Sequence, residues 1–191
     1  EVQNDGDKSM TIFDSPNDVK GTAFLSFTHN NADDDQWLYL PALKRVKRIA
    51  SKNKSGPFMG SEFSYEDLSS FEVEEYDYRW LRDEELNGEL CFVVEIIPRD
   101  KYSGYTREIV WIDQEHYRAM KIEFYDRKDG VLKTLTLSDY QLHLDKFWRP
   151  AKQTMQNERN GKSTEVLLRN YQFRSGLDEQ DFTENSLKRA R

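Results

Sequence analysis

The sequence predicts a mainly β protein with short helices, an α+β chain organised as one long antiparallel meander. Three observations predict it. Apolar and polar residues alternate with period two in segment after segment, as strands with one buried face require. The connections carry hairpin punctuation, and helical patterning is confined to two short stretches.

Ten segments alternate in this way, at 11–15, 22–29, 36–41, 44–50, 89–97, 108–113, 119–126, 131–137, 147–156 and 165–173. Two of the intervening stretches, DRKDG at 126–130 and NERNG at 157–161, place a Gly where a tight turn needs positive φ, so consecutive strands should pair antiparallel. SYEDLSSF at 64–71 opens on a Ser cap followed by acids, which suits at most two helical turns. The tail at 178–191, DEQDFTENSLKRAR, runs from acids to bases along the direction of a helix dipole and predicts a short C-terminal helix.

A meander of this length must dispose of its edges by curling into a barrel or packing on itself as a sandwich. A register that keeps charges outward places Phe92, Val94 and Ile96 on an inner face, continued by Ile109 and Trp111 and then by Met120, Ile122 and Phe124. By itself this face reads equally as a packed core or as a ligand cavity. With 191 residues, no internal repeat and no low-complexity linker, one domain over 1–191 is the expectation.

Composition narrows the function. The 35 acidic against 28 basic side chains oppose nucleic acid as the main partner, since phosphate backbones need a basic surface. No apolar run approaches a membrane span, and the first ten residues, EVQNDGDKSM, show no targeting signal. Cys91 lies inside the apolar run LCFVVEII and reads as a small core residue. His29, His116 and His143 are far apart and lack metal-ligand spacing, and the nucleophile-elbow and phosphate-loop motifs are absent. No catalytic residue, metal or cofactor is therefore expected. The run Asp33–Asp34–Asp35 lacks the spacing of a calcium loop and reads as a solvated hairpin loop. KRVKR at 44–48 puts cations on both faces of a strand, open to lipid phosphates, an acidic partner or RNA, or simply to cross-strand pairing with nearby acids.

The block WLYLPALKR at 37–45, with Arg48 and then FMGSEFSYED at 58–67, resembles the outer-membrane lipoprotein-sorting protein family, a LolA-like group of bacterial envelope proteins. PNDVKG at 16–21, PRDKYSGYTREIVWID at 98–113 and FWRPAKQTMQN at 147–157 extend the resemblance over essentially the whole chain. It implies a strongly curved antiparallel sheet, a half-open β-barrel with a helical lid over an apolar hollow, working in the periplasm. Such proteins are carriers rather than enzymes. The resemblance implies acyl chains of a lipid or lipoprotein as cargo, carried between inner and outer membrane. An inner-membrane transporter and an outer-membrane acceptor are the implied partners, and the chain would be a monomer or weak dimer. On that reading Phe92, Val94, Ile96, Trp111, Ile122 and Phe124 line the hollow, Trp37 and Tyr39 stand at its mouth, and Arg45 and Arg48 meet a headgroup or partner. The rival reading is a non-transporting periplasmic module that docks to an inner-membrane transporter or sensor. Members of the family begin with a signal peptide, a helix and further strands, so an N-terminally trimmed domain is expected.

Overall fold

The computed structural model describes residues 7–15, 17–29 and 32–189. Among the described residues eleven strands form two antiparallel sheets, and the chain divides into two compact units. The first unit comprises 1–56, 65–75 and 172–191; the second comprises Pro57–Ser64 and Tyr76–Tyr171.

In the first unit β1 (Lys8–Ile12), β2 (Ala23–Phe27), β3 (Asp35–Leu40) and β4 (Arg45–Ile49) pair in chain order. One face of this sheet packs under the six-residue α1 (Glu184–Arg189): Ala23, Leu25 and Leu187 are fully buried, with Trp37, Tyr39 and Val46 against them. Asp178 starts that terminal segment with a capping box around the 3-10 turn Glu179–Asp181, so the expected terminal helix is present but short. On the opposite face the buried Gln36 donates to the carbonyl of Tyr65 and the hydroxyl of Ser69, each at 3.0 Å. Only a 3-10 turn, Glu66–Leu68, forms where two helical turns were the upper limit. The acidic run is not simply solvated. Asp34 accepts from Ser69 at 2.7 Å and burial raises its carboxyl, while Asp35 pairs with Arg48 and His29.

The second unit is a seven-stranded sheet in the order β11-β10-β9-β8-β7-β6-β5. Its strands are β5 (Tyr76–Leu86), β6 (Glu89–Pro98), β7 (Arg107–Asp113), β8 (Ala119–Tyr125), β9 (Val131–His143), β10 (Phe147–Asn157) and β11 (Ser163–Leu167). It is a pure meander, as the hairpin punctuation predicts, and among the described residues β5 and β11 remain open edges. Strand β5 is the element the alternation test misses. Its sequence, YDYRWLRDEEL, is largely exposed on both faces, and a bulge between Trp80 and Arg82 breaks the two-residue period. In the 126–130 turn Asp129, at φ 54°, takes the left-handed conformation that was expected of Gly130; Gly161, at φ 73°, takes it as expected.

Candidate functional site

Cross-strand pairing decides which side chains share a face of the seven-stranded sheet. The pairs Trp80↔Val94, Val94↔Val110, Val110↔Ile122, Ile122↔Leu135 and Leu135↔Met155 line up one unbroken apolar row over six strands. Phe92 and Ile112 continue this face on one side of the row; Ile96, Glu108, Phe124 and Lys133 lie on the other.

The β8–β10 part of the face is closed. Pro57–Ser64 lies over it, burying Phe63 against Phe124, Tyr105 and Met155. Polar bonds fasten this strap: the backbone N–H of Glu62 donates to Thr164, Asn157 donates to the Glu62 carboxylate at 2.8 Å, and Lys133 donates to the Glu62 carbonyl. Ser64 and Tyr105 share a hydroxyl contact at 3.1 Å. Toward β5 the face opens. Trp80 is 62% exposed and Tyr78 45%, while Phe92, Val94, Ile112 and Ile122 are half-buried.

The opposite face has another chemistry. Cys91, Val93, Ile109 and Trp111 form a buried floor, and burial raises the Cys91 thiol. Over it stand paired charges. Arg79 and Glu95 meet at 2.8 Å, Lys121 and Glu123 at 2.6 Å, and Lys121 also caps the Trp111 ring at 4.2 Å. The Trp111 indole N–H donates to Glu84, and this bond with that from Arg82 holds the Glu84 carboxyl below its usual range. A groove of about 660 Å³ runs through these residues, every charge in it already compensated by a neighbour.

Beside this face, the turn between β7 and β8 is built on one buried carboxylate. Asp113 accepts from the backbone N–H groups of Glu115, His116 and Arg118 and from the Arg118 guanidinium at 2.9 Å. Burial works against its charge, but Arg118 and these N–H donors outweigh burial and hold the carboxyl below its ordinary value. The Arg118 plane also lies over Tyr140 and Trp148, and His116 stacks on Trp148 at 4.8 Å. Burial pushes the Tyr140 phenol up to about 12, and its hydroxyl donates to the Ala119 carbonyl. These groups are mutually satisfied and read as architecture.

The structure redistributes the residues singled out from sequence. Phe92, Val94, Ile96, Ile122 and Phe124 do share one face. Trp111 does not: it pairs with Val93 and Lys121 and points to the charged side, as does Ile109, because their β7 partner on the apolar face is Val110. Met120, at the bulge beside Ile112, packs with the Trp111 cluster. Trp37 and Tyr39 belong to the first unit and pack toward α1; Phe27 meets Trp37 edge-on at 5.1 Å. Arg45 and Arg48 lie on the edge strand β4, where Arg48 makes the cross-strand pairing with an acid and Arg45 remains exposed. Trp80 and Tyr78 lie in a stretch whose carboxylates read as a charged strand-edge surface; the edge strand is there, but alternation gives no sign that these two rings join the apolar row.

A family model described only as "-like: Uncharacterized protein" matches residues 5–189. Among solved structures, the chain is 60% identical to a domain from Vibrio parahaemolyticus described as that of an outer membrane lipoprotein-sorting protein. The TM-score is 0.97, over 98% of this chain and 80% of that one. The chain belongs to the outer-membrane lipoprotein-sorting protein family. A DUF1329 family protein from Desulfovibrio piger is similar at 32% identity, with a TM-score of 0.90 over 94% of this chain and 76% of that one. A LolA superfamily protein from Nitrosomonas europaea, 21% identical with a TM-score of 0.70 over 95% of this chain and 79% of that one, shares the fold. No curated protein matches the sequence.

Within this family frame the two signature stretches have distinct structural roles. WLYL lies in β3 with its Pro41 opening the turn to β4, and FMGSEF supplies the strap over the seven-stranded sheet. No helix among the described residues is long and apolar enough to cross a membrane.

Proposed function

We propose that this chain is a periplasmic carrier that holds acyl chains of a lipoprotein or another lipid against the apolar face of its seven-stranded sheet and moves them between inner and outer membrane. The observation that supports this reading most directly is the partly open apolar row beginning at Trp80. A sheet gains nothing from leaving Trp80 beside Val94 and Tyr78 beside Ile96 in water, and such faces mark ligand or partner sites. The name of the relative from Vibrio parahaemolyticus, which speaks of lipoprotein sorting, points the same way.

In this reading the sheet curves as a half-open barrel and Pro57–Ser64 is its lid. Trp80, Phe92, Val94, Ile112 and Ile122 receive the chain first. Phe124 and Met155 become available only where the strap lifts. At about 0.8 kcal/mol per buried CH₂, one long chain gains roughly 10 kcal/mol before ordering costs, enough to hold it and still permit release. The role is binding and transfer, with no catalytic step. Arg45, exposed on the β4 edge, is the residue this reading gives to contact with an anionic partner.

Native mass spectrometry of the purified chain, before and after lipid extraction, tests the proposal. A lipid adduct that is lost on extraction and restored by adding phospholipid is expected. A protein that is free of lipid as isolated, and that takes up none afterwards, would favour the rival reading of a non-transporting docking module.

A further inference from the structure

From Gln36 through Ser61 the chain has no acidic residue, yet it holds six of the 28 basic ones: Lys44, Arg45, Lys47, Arg48, Lys52 and Lys54. The acidic excess lies entirely elsewhere. Four of the six, Lys44, Arg45, Lys47 and Lys52, are exposed and make no ion pair with any described residue. This contrasts with the charged groove of the seven-stranded sheet, where arginines and Lys121 are matched by carboxylates.

These exposed cations are spread along one edge. β4 is the outer strand of the four-stranded sheet, and Arg45 and Lys47 project from it beside Leu40 and Leu38. Lys44 precedes the strand in a left-handed conformation, and Lys52 follows it in a 3-10 turn. At the β3–β4 connection the short turn Pro41–Leu43 holds Leu43 with 63% of its surface in water. An apolar tip amid exposed cations does not converge on a point ligand. Its chemistry matches an extended sheet of phosphates above hydrocarbon.

We propose that the β4 edge, with Leu43 at its tip, docks the chain on the surface of a bilayer rich in anionic phospholipid. The remainder of the chain, bearing all the acidic excess, is repelled by the same surface, so approach is confined to this edge. The proposal goes beyond the carrier reading and needs no cargo, so loss of docking and loss of lipid uptake are separate results.

The test is sedimentation of the chain with vesicles of phosphatidylcholine alone or mixed with phosphatidylglycerol, at low and high salt. Binding is expected only with phosphatidylglycerol, and it should fade as salt screens the contact. Each neutralised cation should weaken binding by about fivefold, so K44Q/R45Q/K47Q/K52Q should abolish it and R45Q alone should weaken it measurably. L43N should also weaken it. An equal change of charge on the other unit, K101Q/R127Q/K128Q/K162Q, should have little effect. Three results would overturn the proposal: no vesicle binding, equal loss in the control variant, or capture of an acidic peptide by the same cations with vesicles ignored and L43N inert. All the substituted side chains are exposed, and an unchanged melting temperature keeps each comparison valid.

Discussion

Trp80→Ala separates a ligand site from a structural role, because the side chain contributes little to the fold. It leaves 62% of its surface in water, which for an indole side chain of about 250 Å² is roughly 150 Å². If a bound acyl chain covers half of that, the area relation of about 25 cal/mol per Å² gives ~2 kcal/mol, or about 25-fold in Kd. Val94→Asp, at the next position of the same row, should act more strongly, since the incoming chain would have to strip water from a carboxylate; a loss beyond about 100-fold is expected. The assay is displacement of a fluorescent fatty acid, followed with a thermal melt of each variant. Thr136→Asp is the control, because Thr136 is exposed and pairs with Lys121 on the charged face. Undiminished binding in folded Trp80→Ala and Val94→Asp would refute the choice of face. Equal losses in the control would refute the idea that the two faces differ in function.

Two further predictions concern what holds the site. Asp113→Asn should cost about 3 kcal/mol at neutral pH by removing the charge that four donors surround. Because folding depresses the Asp113 carboxyl, its contribution is present above the unfolded value and lost as pH falls through the folded one. Denaturant midpoints should therefore show the variant converging on the parent in acid, and a constant gap would contradict this account. Phe63→Ala should cost about 3–4 kcal/mol from the cavity left beside Tyr105, Phe124 and Met155. It should also speed hydrogen exchange at Phe58, whose N–H bonds to the Phe63 carbonyl. Unchanged exchange there would mean that Phe63 does not anchor the strap.

Much of the sheet was legible in sequence because one-sided burial writes itself as alternation. The run ELCFVVEII, with Cys91 and Val93 facing one way and Phe92 and Val94 the other, could only be a strand apolar on both faces. The same run shows why the site was only partly legible. When both faces of neighbouring strands are apolar, alternation no longer says which face of β6 matches which face of β7. Trp111 and Val110 were equally eligible, and only the hydrogen-bonded register puts Val110 on the Trp80 row. Trp80 itself was hidden because an edge strand with both faces wet has no reason to alternate, and its bulge shifts the period.

The sequence by itself determined the class of fold, the hairpin order of the second sheet and the family, since these follow from local periodicity, turn chemistry and shared residues. It also placed the unbroken basic stretch, which is a property of composition. Tertiary structure alone decided that Pro57–Ser64 covers the β8–β10 part of the sheet and leaves the Trp80 part open, because that depends on contacts such as Glu62 with Asn157, some ninety-five positions apart. It alone decided that Trp37 and Tyr39 pack toward α1, and that four cations of β4 and its flanks find no ion-pair partner among the described residues. Pairing between distant segments leaves no periodic trace in a chain, and which charges find a counterion is fixed only once those segments meet.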